Sequence, residues 1–183
     1  LYPKDTLRPE HQFQLASLSK PFTAVAILKL VEAGKLSLTD SVQRFIPEFP
    51  YKGVQIRSLL SHRSGLPNYM HLYKVPTSAT NPYPTNTDII SWLNTTVPKP
   101  QNLPNRAFSY NNTNYCVLAT LVEKASGLRF ETYLQRYLFD PLGMYNTHWA
   151  SHQLDSTSRL CMMGHQYGRV IPKDTFDDVL GDK

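Results

Sequence analysis

Ser17-Leu-Ser-Lys-Pro-Phe-Thr-Ala-Val-Ala-Ile-Leu-Lys-Leu-Val-Glu-Ala-Gly34 is the stretch from which the rest of the chain can be read. Ala, Leu and Lys favour helix, Pro21 is tolerated only in a first turn, and Gly34 suits a helix end. The pattern predicts a helix over residues 19–33. It is apolar nearly all round, so a buried helix is expected. At its start, Ser17 and Lys20 make a Ser-x-x-Lys motif. Residues three apart there share a face, which would set the Ser17 hydroxyl beside the Lys20 amine. A serine hydroxyl is a poor nucleophile until a neighbour takes its proton, and a partly buried lysine can help. The positive end of the helix dipole favours negative charge developing nearby. The motif alone is weak, because Ser17 and Ser19 also read as ordinary capping residues.

Moving outward, a short helix is expected over 56–61, ended by the Ser64-Gly65 turn. Residues 67–86 are rich in Pro, Asn and Thr and read as a long surface loop, a kind of segment that often carries function. Thr87 looks like the N-cap of a helix over 88–94. A Pro-rich connection follows at 95–107. A stronger helix is expected over 113–126, with Tyr115, Leu118, Ala119 and Val122 at helical spacing and Gly127 as its cap. Another is expected over 130–138, with Phe130, Tyr133, Leu134, Tyr137 and Leu138 on one face and Asp140-Pro-Leu-Gly143 ending it. Residues 166–172 read as one strand. Residues 1–12 read as extended or irregular. The chain opens on Leu1 rather than Met and stops on a turn-like Gly181-Asp182-Lys183, so a piece of a longer protein is expected.

The 183 residues are 41% hydrophobic and 18% charged. That excludes a disordered charged tail, and 8 glycines without a period exclude a collagen-like chain. The net charge is +5. Its basic residues are scattered, with no run of three, so a mildly basic solvated surface is expected, and no nucleic-acid partner is expected. No apolar stretch reaches the roughly 18 residues of a membrane span. Cys116 and Cys161 allow one disulfide or none.

Tyr110-Asn111-Asn112 is the second chemical candidate, placed just before the 113–126 helix. A tyrosine beside a lysine can carry protons, because the ammonium stabilises phenolate. Asn112 would offer its amide to a substrate; the plainer reading is a capping cluster after a packed aromatic. His62-Arg-Ser-Gly65 reads as a tight turn after a helix, since G-x-S-x-G is absent. His148 and His152 are four apart, as helical zinc ligands would be, but no third ligand pattern accompanies them, so no metal is expected. Walker and dinucleotide-binding loops are absent, and no cofactor is expected.

Leu15-Ala-Ser-Leu-Ser-Lys-Pro-Phe-Thr-Ala-Val-Ala with Glu32-Ala-Gly-Lys-Leu-Ser-Leu-Thr-Asp-Ser-Val resembles the nucleophile helix and following turn of the serine beta-lactamase-related hydrolases. Those are the class C beta-lactamases, D-alanyl-D-alanine carboxypeptidases and related esterases. Ile56-Arg-Ser-Leu-Leu-Ser-His-Arg-Ser-Gly-Leu-Pro, Phe108-Ser-Tyr-Asn-Asn-Thr-Asn-Tyr and Phe139-Asp-Pro-Leu-Gly-Met-Tyr-Asn-Thr are similar to further stretches of that family, in the family's order. The resemblance covers roughly residues 12–150.

It implies an α+β fold of the beta-lactamase/transpeptidase type, with residues 1–183 forming a single partial domain, mostly helical and lacking most of the sheet. It implies that Ser17 is acylated and that Lys20 and Tyr110 form its coupled proton-handling pair, with Asn112 binding the substrate's amide. It further implies a beta-lactam, D-Ala-D-Ala peptide or small ester as substrate, and a periplasmic or cell-envelope location. The family's third motif, K-T-G or H-x-G, is missing, and in the family it lies well after the Pro-Leu-Gly-Met stretch. Two expectations follow. Without the sheet, the apolar 20–33 helix would be exposed and would promote self-association. Alternatively, if the chain is complete, it would be a non-catalytic binding or scaffold protein on the same fold.

Overall fold

Val117, Leu118, Leu121 and Val122 are fully buried, and the helix that carries them organises the others. The computed structural model describes residues 12–13, 15–74, 84–147, 149, 161–162, 165–166 and 169–170. In chain order these form strand β1 (Gln12–Phe13), a 3-10 turn (Ala16–Ser19), helix α1 (Lys20–Glu32) and a second 3-10 turn (Val42–Arg44). Helices α2 (Ile56–Leu60), α3 (Tyr69–Leu72), α4 (Asn86–Thr96), α5 (Asn112–Ser126) and α6 (Phe130–Leu134) follow. A π-helical turn (Gln135–Phe139) continues α6. The short strands β2 (Cys161–Met162), β3 (His165–Gln166) and β4 (Arg169–Val170) come last. β1 runs parallel to β2 with Gln12 opposite Cys161, and β3 runs antiparallel to β4 with His165 opposite Val170. The described residues are mostly helical, as expected of the helical part of the fold.

Helix α5 packs against α1, α2, α3, α4 and α6. Ile27 and Leu30 of α1, Ile56 and Leu59 of α2, Ile89 and Leu93 of α4, and Phe130 and Leu134 of α6 close around it in one apolar core. Each such side chain, fully buried, contributes roughly 1.5–3 kcal/mol. Among the described residues no helix is long and apolar enough to cross a membrane.

Helix α1 starts with Pro21 in its first turn, where a missing N–H breaks no intrahelical bond. It is not buried all round. Thr23, Ala26, Ile27 and Leu30 face the core, whereas Val25 and Leu28 are 38% and 48% exposed. α5 and α6 cover only one side of it.

Five features differ from the sequence expectation, each for a local reason. The 67–86 segment carries α3, capped by the Asn68 side chain accepting from the Met70 N–H, while residues 75–83 lie outside the described residues. Helix α4 is capped by Thr85, not Thr87. Thr85 Oγ1 accepts the Asp88 N–H at 3.2 Å and Asp88 returns a bond to the Thr85 N–H at 2.8 Å, a reciprocal cap that Thr87 cannot make from inside the first turn. Helix α4 runs on to Thr96, where Val97 turns left-handed just before Pro98. The expected 130–138 helix widens into the π-turn, whose extra residue shifts the phase: Tyr137 is 39% exposed while Phe139 is buried, edge-on to Phe22. Finally, the single strand expected over 166–172 is two short strands, β3 and β4, separated by two residues of which one is Gly168.

Candidate active site

Two parts of the chain 93 residues apart meet at one hydroxyl. Ser17 lies in the 3-10 turn that leads into α1, and Lys20 is the first residue of α1. One helical turn apart on the same side, they place Lys20 Nζ as a donor to Ser17 Oγ at 3.0 Å. Tyr110 comes from the extended segment before α5, and its Oη lies 2.8 Å from the same Oγ. Lys20 Nζ also sits over the Tyr110 ring, 5.0 Å from its centroid. Ala16, immediately before Ser17, has a φ of +45°. For a residue with a Cβ that costs on the order of 1–3 kcal/mol, and such strain concentrates at functional sites.

The environment tunes the phenol. Burial by itself would raise the Tyr110 pKa, but hydrogen bonds with Lys20 and Ser17 and the Lys20 charge outweigh it, and the net shift is downward. Ser17 Oγ is therefore held between the Lys20 amine and a phenol whose pKa is lowered.

Asn112 stands apart from this group. It is the first residue of α5, half-buried, and its side-chain amide donates to Met70 Sδ of α3. The structure thus brings Ser17, Lys20 and Tyr110 together and engages Asn112 with α3.

What holds Tyr110 in place is a buried polar seam between residues 62–69 and the start of α5. Asn111 Nδ2 donates to the Leu66 carbonyl at 2.6 Å, and its Oδ1 caps the helix through the Thr113 N–H at 2.9 Å. Thr113 Oγ1 donates to the Pro67 carbonyl at 2.7 Å and accepts the Tyr69 N–H at 3.0 Å. Ser64 Oγ donates to Asn114 Oδ1. Ser64, Asn111, Thr113 and Asn114 are all buried, so each of these bonds satisfies a group that water cannot reach. The sequence reads His62-Arg-Ser-Gly65 as a tight turn. It is one, and it is also the support under Tyr110. The usable signal was that the His-x-Ser-Gly stretch and the Tyr-Asn-Asn-Thr-Asn stretch are both dense in small polar residues, which a core accepts only when they pair.

Gly65 locks that turn to the 101–102 segment. Its φ is +73°, its carbonyl accepts the Gln101 N–H at 2.8 Å, and a Cβ would lie 2.0 Å from the Asn102 carbonyl oxygen. Cys116 plays no part in the site: it is buried, donates to Asn86 Oδ1 at 3.1 Å, and burial pushes its thiol up to about 12. Among the described residues no group of three His, Cys, Asp or Glu could hold a metal, and His148 and His152 lie outside them.

The Beta-lactamase family model matches residues 3–162, a span that contains Ser17, Lys20, Tyr110 and Asn112. This chain belongs to the beta-lactamase family. Penicillin-binding protein 4* of Bacillus subtilis strain 168 is 38% identical to it over 173 residues, covering 94% of this chain and 38% of that protein. The chain therefore spans well under half the length of that relative. An octameric penicillin-binding protein homologue from Pyrococcus abyssi is 32% identical with a TM-score of 0.68, over 85% of this chain and 37% of its own. A beta-lactamase/D-alanine carboxypeptidase from Yersinia pestis, complexed with citrate, is 26% identical with the same TM-score of 0.68, over 83% and 44%. The beta-lactamase/transpeptidase-like fold expected from the sequence is the fold these structures share with this chain.

Proposed function

We propose that the protein carrying this chain is a serine hydrolase in which Ser17 forms an acyl-enzyme with a beta-lactam, a D-Ala-D-Ala peptide or a small ester. The observation that carries this reading is the convergence of Lys20 Nζ at 3.0 Å and Tyr110 Oη at 2.8 Å on the Ser17 hydroxyl. The names of the relatives, penicillin-binding protein and beta-lactamase/D-alanine carboxypeptidase, support the same substrate classes.

Ser17 Oγ bonds to the substrate carbonyl carbon while its proton passes to the Lys20–Tyr110 pair. The carbonyl electrons move onto oxygen, with the Ser17 N–H as one oxyanion donor. Collapse breaks the bond to the leaving nitrogen or oxygen, which takes up the proton from the same pair. Water then attacks the Ser17 ester, gives its proton to the pair, and releases the acid as Ser17 regains its hydrogen. Both groups reach the same Ser17 hydroxyl, so the proton is assigned to the pair rather than to either member. Asn112 contacts the substrate's amide side chain, which requires it to exchange its Met70 contact for the substrate. The family resemblance supports a periplasmic or cell-envelope location.

Intact-mass spectrometry of the natural full-length gene product with a reactive penicillin tests this. Opening the lactam ring expels no fragment, so the adduct carries the whole penicillin mass. A single adduct that disappears in Ser17→Ala is the expected result. Absence of an adduct, together with no turnover of D-Ala-D-Ala peptides or small esters, would leave the non-catalytic binding protein as the reading.

A further inference from the structure

We propose that His62 is a positioning residue for Tyr110, acting through a bare Nδ1 that anchors the backbone beside the phenol. The proposal rests on the reading of Tyr110 as part of the proton-handling pair. His62 has a φ of +54°, a left-handed conformation that a β-carbon makes costly, just after α2. That conformation lets one residue grip both neighbours of Tyr110. The His62 carbonyl accepts the Ser109 N–H at 2.8 Å, and His62 Nδ1 accepts the Asn111 N–H at 3.1 Å. Between those two anchors the Tyr110 ring lies against the imidazole, with centroids 4.6 Å apart and planes tilted by 35°. Tyr115 of α5 lies on the same imidazole at 5.1 Å and Phe108 meets it edge-on at 6.0 Å.

The polar seam dictates the tautomer. The Leu66 N–H donates to Ser64 Oγ at 3.1 Å, leaving the Ser64 proton to donate to Asn114 Oδ1. Asn114 must then present its NH2 to His62 Nδ1, 3.1 Å away. Nδ1 receives two donors, so it carries no proton, and the ring hydrogen is on Nε2. The charged and titratable groups facing His62 are Lys20 from α1 and Tyr110 and Tyr115 from the α5 side. Burial and the Lys20 charge hold the imidazole below its usual pKa, so it stays neutral and keeps both bonds.

Two substitutions in the full-length gene product separate the functions of the side chain. His62→Asn keeps an acceptor near the Nδ1 position and tolerates left-handed backbone, but has no ring. His62→Phe keeps the ring and leaves the Asn111 and Asn114 donors unpaired. Tyr110 titration is followed by phenolate absorbance, with Tyr110→Phe as the subtraction. Ser17 acylation by the penicillin is followed by mass. With its anchor gone, Tyr110 in His62→Phe should titrate at higher pH, and acylation should slow about 10- to 100-fold at saturating penicillin, the scale of an ångström-level misplacement. His62→Asn should stay close to wild type in both. Nitrogen chemical shifts of the wild type should show Nδ1 as the unprotonated nitrogen, the signal being assigned by its loss in His62→Asn.

A His62→Phe variant that titrates and acylates like wild type overturns the proposal. So does a His62→Asn variant as impaired as His62→Phe, or a wild-type Nδ1–H tautomer. If His62→Phe does not fold, the tautomer and His62→Asn decide. If the wild type forms no adduct and turns over neither D-Ala-D-Ala peptides nor small esters, the hydrolase reading fails while Tyr110 titration and the tautomer still decide the role of His62.

Discussion

At Ser17 the chemistry depends on how a phenol and an amine share one hydroxyl. Lys20 supplies both a hydrogen bond and a charge that lower the Tyr110 pKa against the opposing effect of burial. Removing the amine should therefore raise it. In Lys20→Met the phenolate should appear at higher pH than in the parent, and a spectrophotometric titration that does not move would refute the coupling. Because the folded pKa lies below the ordinary 10.0, acylation should gain its alkaline limb at lower pH than a free tyrosine would allow. Tyr110→Phe should remove that limb and slow acylation by roughly 10²–10⁴, the usual contribution of a placed proton carrier. Cys116 makes the opposite case: a buried thiol raised to about 12 is a packing residue. It should resist thiol reagents in the folded chain and react only on unfolding, as peptide mapping would show.

Helix caps and turns set the element-scale energetics. The Thr85–Asp88 reciprocal cap starts α4, and Thr85→Ala should cost about 1 kcal/mol in urea unfolding. Hydrogen bonds from the Thr85 side chain and backbone lower the Asp88 pKa from 3.8. The unfolded chain then binds the proton more tightly, so this contribution is complete above pH 3.8 and is lost as pH falls through the lower folded value. Thr85→Ala should shrink the acid-side loss of stability over that window. Gly65 is more demanding, because a methyl there meets both a left-handed backbone and the Asn102 carbonyl. Gly65→Ala should cost roughly 2–5 kcal/mol, the sum of left-handed strain and overpacking, measurable by denaturant unfolding. Since Gly65 lies in the seam under Tyr110, the same substitution should also loosen the site.

Across the molecule, α1 links the site to the core while leaving an apolar face outward: Val25 and Leu28 on it are 38% and 48% exposed, and Leu18 in the turn before it is 69% exposed. The 183-residue chain on its own should therefore bind a hydrophobic dye and sediment above its monomer mass, and Val25→Lys with Leu28→Glu should suppress both. A dye-silent monomer would contradict this. That exposure was written in the sequence only conditionally, since a helix apolar nearly all round says that cover is needed and not what supplies it. Short-range features were legible directly. Pro21 marked the first turn of α1, Gly127 ended α5, and the Ser17–Lys20 spacing placed hydroxyl and amine on one side, because sterics and hydrogen bonding between near neighbours decide all three. Thr85 rather than Thr87 as a cap, and the π-turn that carries Tyr137 outward, were not legible, since the spacing fits more than one phase and packing selects among them. The Ser17–Tyr110 contact and the grip of His62 on Tyr110 belong wholly to the tertiary structure. They join segments far apart in the chain, and their distances are set by how α5 packs against α1 and α2 and by which buried donors find acceptors there.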